Sequence, residues 1–247
     1  MMNTKRYSLI LCEGETDQVL IGLYLEALGD WKYKKTDKPL YTENEIVWYS
    51  GKNQSVLGIW RVEGNDFSRV MAKISEREKY DAGLDSLVVV TDHDDEKAEN
   101  ERVTATFKGF VDCFPETKGS IDRISANLNI WTEVSYQSSF DENKARMCYL
   151  LVPMQEVGAL ETFMLNALSE NNPEQKEVID QVKRFIKDFE SEVYLKSRRN
   201  KVKAELGVSL SIFNPERIFR IMDELLSQAN WAEFDASDKQ FSILKEI

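Results

Sequence analysis

Histidine is almost missing from this chain of 247 residues: His93 is the sole example. Nucleophilic chemistry of the Ser-His-Asp or Cys-His kind therefore rests on His93 or is excluded, and multi-histidine metal sites are excluded outright. Cysteine is nearly as scarce. Cys12, Cys113 and Cys148 are widely spaced in apolar surroundings, which makes neither a disulfide framework nor a zinc-ligand spacing and predicts a reducing, cytoplasmic setting. Apolar runs of membrane-spanning length are lacking, so no membrane association is expected. The stretch after Met1–Arg6 is ended by Glu13 too soon for a signal peptide. Positive charge is in deficit, with 32 Lys+Arg against 43 Asp+Glu and a net charge of −11. That balance disfavours a general nucleic-acid coat but leaves room for nucleic acid at a local basic site. The densest basic stretch, Lys196–Lys203, carries five cations in eight positions and serves equally well as a solvated helix face.

What the chain does have is acid in two particular places. Tyr7-Ser8-Leu9-Ile10-Leu11-Cys12 runs into Glu13-Gly14-Glu15-Thr16-Asp17, and Ser86-Leu87-Val88-Val89-Val90-Thr91 runs into Asp92-His93-Asp94-Asp95-Glu96. Short apolar runs ending abruptly in polar residues are how buried parallel strands deliver side chains to the carboxyl edge of a sheet. Should the clusters meet, each like-charged pair at ~5 Å and an effective dielectric of ~20 costs roughly 3 kcal/mol. A cation, protons or a basic partner is then required. With nitrogen and sulfur donors so scarce, any metal is held by oxygen, which points to magnesium, manganese or calcium.

Between and beyond these runs the pattern alternates helix and strand. Leu20, Leu23, Tyr24, Ala27 and Leu28 share a helical stripe, with Thr16 a candidate N-cap. Ile46–Tyr49 and Val56–Val62 read as strands, Phe67–Lys79 as a helix and Asp95–Asp112 as a charged helix. Ile121–Leu128, Trp131–Gln137 and Met147–Val152 read as later strands. Pro153 and Gly158 frame a turn into a helix faced by Leu160, Phe163, Met164, Ala167 and Leu168. Past Asn171-Asn172-Pro173 the chain reads as all helical. Val178, Val182, Phe185 and Phe189 mark one helix there. Asn214 and Pro215 open another, carrying Ile218, Ile221, Met222, Leu225 and Leu226.

Other motif families fit poorly. A P-loop fails because Gly14–Gln18 lacks the second glycine and the Lys-Ser/Thr pair. An EF-hand fails because Lys97 and Val103 stand where its glycine and bidentate glutamate belong. A haloacid-dehalogenase-like phosphatase also uses a strand followed by Asp-x-Asp. It would leave Glu13-Gly14 unexplained, and Glu96 stands where its Thr or Val is expected.

A strand ending in Glu13-Gly14, followed later by a strand ending in Asp92-x-Asp94, resembles the Toprim fold of topoisomerases, primases and small nucleases. Glu13-Gly14-x-Thr16-Asp17, Gly158-Ala159-Leu160-Glu161 and Asn200-Lys201-Val202-Lys203 extend the resemblance to Toprim nucleases of the OLD (overcoming lysogenization defect) type and their compact relatives. The resemblance implies an α/β, Toprim-like (Rossmann-like) fold. Its mostly parallel sheet with flanking helices would span residues 1–170, with a helical C-terminal segment over 171–247, either separate or packed on the same domain. It also implies Mg2+- or Mn2+-dependent phosphodiester chemistry on nucleic acid. Glu13 would be a metal ligand or general base, and Asp92 and Asp94 ligands. Asp17 and Glu161 would complete the shell, unless they serve only their helix starts. Lys201, with Lys203 second, would neutralise transition-state charge. Asp95 and Glu96 are expected to be solvated, and His93 to point away. The alternative is a catalytically silent binding subunit that meets a partner protein in a defence or repair assembly.

Overall fold

The computed structural model describes residues 6–34, 41, 43–52, 55–81, 83–93, 99–170, 172–189, 193–217, 224 and 226–247. Strands β1 (Tyr7–Cys12), β2 (Trp31–Tyr33), β3 (Ile46–Gly51), β4 (Val56–Arg61), β5 (Leu84–Asp92), β6 (Thr132–Gln137) and β7 (Glu142–Val152) form a seven-stranded sheet in the order β2-β3-β4-β1-β5-β7-β6. The four central strands β4, β1, β5 and β7 run parallel, and β2, β3 and β6 pair antiparallel at the flanks. This is the α/β, Rossmann-like architecture that the alternation of elements predicts.

Helices cover both faces. Helices α1 (Glu15–Ala27) and α5 (Leu160–Glu170) lie on one face, and α2 (Phe67–Tyr80), α3 (Glu99–Cys113) and α4 (Lys118–Ala126) on the other. Along the central strands successive residues serve opposite cores. Ile10, Cys12, Val88 and Val90 pack toward the first face, and Leu9, Leu11, Leu87 and Val89 toward the second. Burial on both faces is why these strands read as unbroken apolar runs rather than alternating ones. The chain continues through α6 (Pro173–Asp188), α7 (Arg198–Phe213) and α8 (Asp235–Phe241). Leu206, Leu210, Leu226, Trp231, Phe241 and Leu244 enter the same core as Ile10 and Val88, so these parts of the C-terminal segment pack on the sheet. The three cysteines are unpaired, and among the described residues no helix is long and apolar enough to cross a membrane.

Three expectations are corrected, and a fourth falls largely outside the described residues. Ile121–Leu128 is not a strand but lies largely in α4. Ile121 and Ile124, one turn apart, bury together there, and Lys118 pairs with Asp122 at i,i+4. On α1 the buried side is Leu20, Ile21, Tyr24 and Leu25, with Ala27 exposed. The helix also starts at Glu15, so Gly14 and not Thr16 holds the N-cap position. On α6 the buried stripe is Ile179, Val182 and Ile186, leaving Phe185 and Phe189 outside. After Asn214 a 3-10 turn spans Pro215–Arg217, and Ile218, Ile221, Met222 and Leu225 lie outside the described residues.

Candidate functional site

Strands β1 and β5 are neighbours in register, with Cys12 opposite Val90, so the two acidic exits open side by side at the carboxyl edge of the sheet. Glu13 is the first residue beyond β1. Its Oε1 lies 3.1 Å from Arg102 Nη2 and its Oε2 3.9 Å from Arg199 Nη2. Asp92 closes β5. Its Oδ1 accepts a hydrogen bond of 3.1 Å from the backbone N–H of Leu160, the first residue of α5, and its Oδ2 lies 3.2 Å from Arg199 Nη2. Both carboxylates are nearly enclosed, their side chains 6% exposed.

Asp17 reaches back from the first turn of α1, where its Oδ2 accepts the Gly14 N–H at 2.8 Å. A Cβ at position 14 would stand 2.9 Å from that oxygen, so glycine leaves the room that the Asp17 carboxylate occupies. Glu161, in the first turn of α5, is also buried and has Lys203 Nζ 3.7 Å from its Oε1. Four separate segments thus deliver Glu13, Asp17, Asp92 and Glu161 to one electrostatically linked region. Burial pushes the Asp17 carboxyl up to about 7, reinforced by Asp92, Glu13 and Glu161 and opposed by the Gly14 N–H. Burial likewise pushes Asp92 up to about 7, reinforced by Glu13 and Glu161, with Arg199 and the Leu160 N–H acting against the rise.

In the unfolded chain such carboxyls titrate near ~4. In the fold both hold their protons up to about 7, so between these limits the folded state binds more protons. The stability this lends is complete below the unfolded value and is lost as pH rises through about 7. Thermal melting in EDTA should therefore give a lower Tm at pH 8 than at pH 5.5. The double substitution Asp17→Asn with Asp92→Asn should flatten that difference; an unchanged slope would contradict it.

Two cations at the site were not foreseen from sequence. Arg102, on α3, donates to Glu13 and, through Nη1, to the Asp92 carbonyl oxygen at 3.2 Å, tying both strand exits to one helix. Its position inside a charged helix gave no hint of this. Arg199 stands between Glu13 and Asp92. A helical-face reading of Lys196–Lys203 would have found it, because Arg199 and Lys203 are i,i+4 on α7.

Lys201, the expected catalytic cation, lies about 200° around the helix from Arg199 at ~100° per residue, is exposed, and its charge acts on Glu205. It is not brought to the acids. Asp94, together with Asp95 and Glu96, lies outside the described residues. The His93 ring Nδ1 is 3.0 Å from the Pro153 carbonyl oxygen, which only accepts, so Nδ1 carries the proton and is not a ligand atom. The Pro153–Leu160 turn is held to β5 by the Gly158 N–H donating to His93 O at 2.7 Å.

The donor set is all carboxylate oxygen, the chemistry of a hard divalent ion. Among the described residues, Asp92 Oδ2 is buried and accepts no hydrogen bond, and it faces Arg199 as an ion pair. As arranged, no group of three candidate ligands among the described residues is positioned to hold a metal ion, and Arg199 occupies the space between Glu13 and Asp92. Two cavities lie at the site, one bordered by Glu13 and one by Arg199. One of about 350 Å³ is lined by Glu13, Ser68, Arg102 and Tyr149, and one of about 230 Å³ by His93, Gly158, Thr162 and Arg199. A larger groove of about 750 Å³, between α3 and α4, touches none of the four acids.

A search among curated proteins finds no match. Among solved structures the chain is similar to hypothetical protein PH0156 from Pyrococcus horikoshii OT3, at 15% identity over 98% of each chain and a TM-score of 0.45. A family model, described as a protein of unknown function (DUF3226), matches residues 7–232. This chain belongs to the DUF3226 family.

Proposed function

We propose that this protein is a Toprim-like, divalent-metal-dependent enzyme that cleaves phosphodiester bonds in nucleic acid, working in a reducing cytoplasm with Mg2+ or Mn2+. The observation that carries the reading is the gathering of Glu13, Asp17, Asp92 and Glu161 at one sheet edge, opposite Arg199 and Lys203. Glu13 and Asp92 would hold the ion, with Asp17 and Glu161 beside them and Asp94 a further donor. Such an ion supplies a water activated at neutral pH and neutralises charge on the phosphoryl oxygens.

The rest is work for the chain's own groups. The Leu160 N–H fixes one oxygen of Asp92, and Arg102 fixes Glu13 from behind, so both carboxylates keep their aim without solvent. Arg199 balances the two acids when no cation does so. Its planar fork of donors matches a phosphate better than a lysine ammonium would. The geometry therefore favours Arg199 over Lys201 for neutralising the scissile phosphate, with Lys203 held nearby by Glu161.

The test is incubation of purified protein with single- and double-stranded DNA and RNA. Cleavage is expected with Mg2+ or Mn2+ and not with EDTA. No cleavage of any substrate, with no divalent-ion binding, would overturn the reading. A second reading, the catalytically silent partner-binding subunit, is favoured by one observation: Arg102 and Arg199 already neutralise Glu13 and Asp92. It predicts a stable partner complex that survives Asp92→Asn.

A further inference from the structure

The buried stripe of α6 is Ile179, Val182 and Ile186, which leaves Phe185 and Phe189 on its outer side, 60% and 47% exposed with ring centroids 5.9 Å apart. Tyr194, in the connection to α7, is 76% exposed. The adjacent, exposed rings of Phe185 and Phe189 make an aromatic patch of the kind that marks an interaction site. Their surroundings narrow the choice. Residues 183–203 carry eight Lys/Arg (Lys183, Arg184, Lys187, Lys196, Arg198, Arg199, Lys201, Lys203) against three Asp/Glu, in a chain whose net charge is −11. A protein-binding face is depleted in lysine, whereas aromatic faces interleaved with cations suit a polyanion carrying flat bases.

We propose that the α6–α7 edge is a platform for single-stranded nucleic acid, with bases stacked on Phe185, Phe189 and Tyr194 and backbone phosphates met by Lys196, Arg198 and Lys201. This deepens the nuclease reading and rests on it for direction only. The platform borders, along the chain, the first turn of α7, which carries Arg199. Asn200 Nδ2 donates to the Tyr194 carbonyl oxygen at 3.4 Å, and the residue before Asn200 is Arg199, which faces Asp92 and Glu13. Helices α6 and α7 are in contact, and Lys183 of α6 and Lys201 of α7 both act on Glu205, so the cations of the two helices share one region. A duplex keeps its bases paired and stacked, and offers the aromatic rings nothing to stack on. The same surface therefore discriminates single from double strands.

Fluorescence anisotropy in EDTA, with labelled dT20 and a 20-base-pair duplex over a salt series, reads binding without any cleavage. The full chain should bind dT20 more tightly than the duplex, with affinity falling as salt rises. Phe189→Ser and Tyr194→Ser should each weaken dT20 about tenfold or more, with little change in duplex binding. Lys196→Ala should lower the salt slope by about one contact. All three side chains are exposed, so Tm should hold; if an aromatic variant unfolds, the lysine variant decides. Equal or tighter duplex binding, or wild-type dT20 binding by the variants, overturns the platform. So does a dimer in sedimentation that the aromatic substitutions dissociate, since the face would then be a self-interface. Strand binding without cleavage keeps the platform and removes the nuclease; cleavage unaffected by the variants does the reverse.

Discussion

Asp92→Asn should abolish metal-dependent cleavage while leaving the chain folded. Asparagine keeps an oxygen able to accept the Leu160 N–H, so the junction between β5 and α5 survives. What it removes is the negative charge opposite Arg199 and beside Glu13. Loss of one preorganised charge at a reacting centre costs on the order of 10²–10³-fold in rate, and loss of an ion's ligand should reach the upper end of that range. Removing a carboxylate that is itself strained by burial and by Glu13 should raise metal-free stability at pH 8. A variant that melts no lower yet cuts no substrate fits the proposed role. One that cuts at the wild-type rate contradicts it.

The second large effect lies at the other edge of the sheet. Glu78, on α2, is fully buried and accepts four hydrogen bonds. Tyr7 Oη reaches Oε1 at 2.6 Å, and Tyr136 Oη, Gly83 N and Leu84 N reach Oε2 at 2.5, 3.0 and 3.2 Å. Burial and the adjoining carboxylate hold both phenols well above their usual range, so they stay protonated and donate. One side chain thereby satisfies the first residues of β1 and β5 and the end of β6. Glu78→Ala would take the shared acceptor from all four donors. Tyr7 Oη keeps Tyr41 Oη at 2.8 Å and Gly83 is half-buried, but Tyr136 Oη and Leu84 N are left unsatisfied in the core. Equilibrium urea unfolding should show a loss of about 3–5 kcal/mol, which for a chain of this size lowers Tm by roughly 10 °C or more. Glu78→Gln should cost less, since the amide retains an acceptor. Tyr7 and Leu84 start the two strands at whose far ends Glu13 and Asp92 lie, about 20 Å away. Folded Glu78→Gln should therefore keep full cleavage. A loss under about 1 kcal/mol for Glu78→Ala would show that water reaches the network.

How much of this was legible in the chain depended on burial. The strands β1 and β5 announce themselves because both faces are covered, so every residue from Tyr7 to Cys12 is apolar or small. Their acid exits follow at once, while the pairing of β1 with β5 that sets Glu13 beside Asp92 came only with the fold. Strand β2 spans three residues with two exposed, too short and too polar to carry a period. Ile121–Leu128 misled because two isoleucines three apart satisfy a short strand nearly as well as one helical turn. Lys201 follows from the resemblance of Asn200-Lys201-Val202-Lys203, while side-chain direction on α7 turns Arg199 and Lys203 to the acids. Arg102 is the clearest case of a residue that sequence does not mark. Its role exists only because α3 passes beside two strands distant in the chain. The exposed Phe185 and Phe189 were hidden for the opposite reason, since an apolar residue at helical spacing is ordinarily core.

The claim on which the rest depends is that the carboxyl edge takes a divalent cation. Titration of metal-free protein with Mn2+, followed by the loss of the free-ion electron paramagnetic resonance signal, measures this without reference to any substrate. Saturable binding is expected, weakened more than about tenfold by Asp92→Asn or Glu13→Gln and unaffected by Glu78→Gln. Absence of binding at millimolar Mn2+, or binding indifferent to Asp92 and Glu13, would contradict the account.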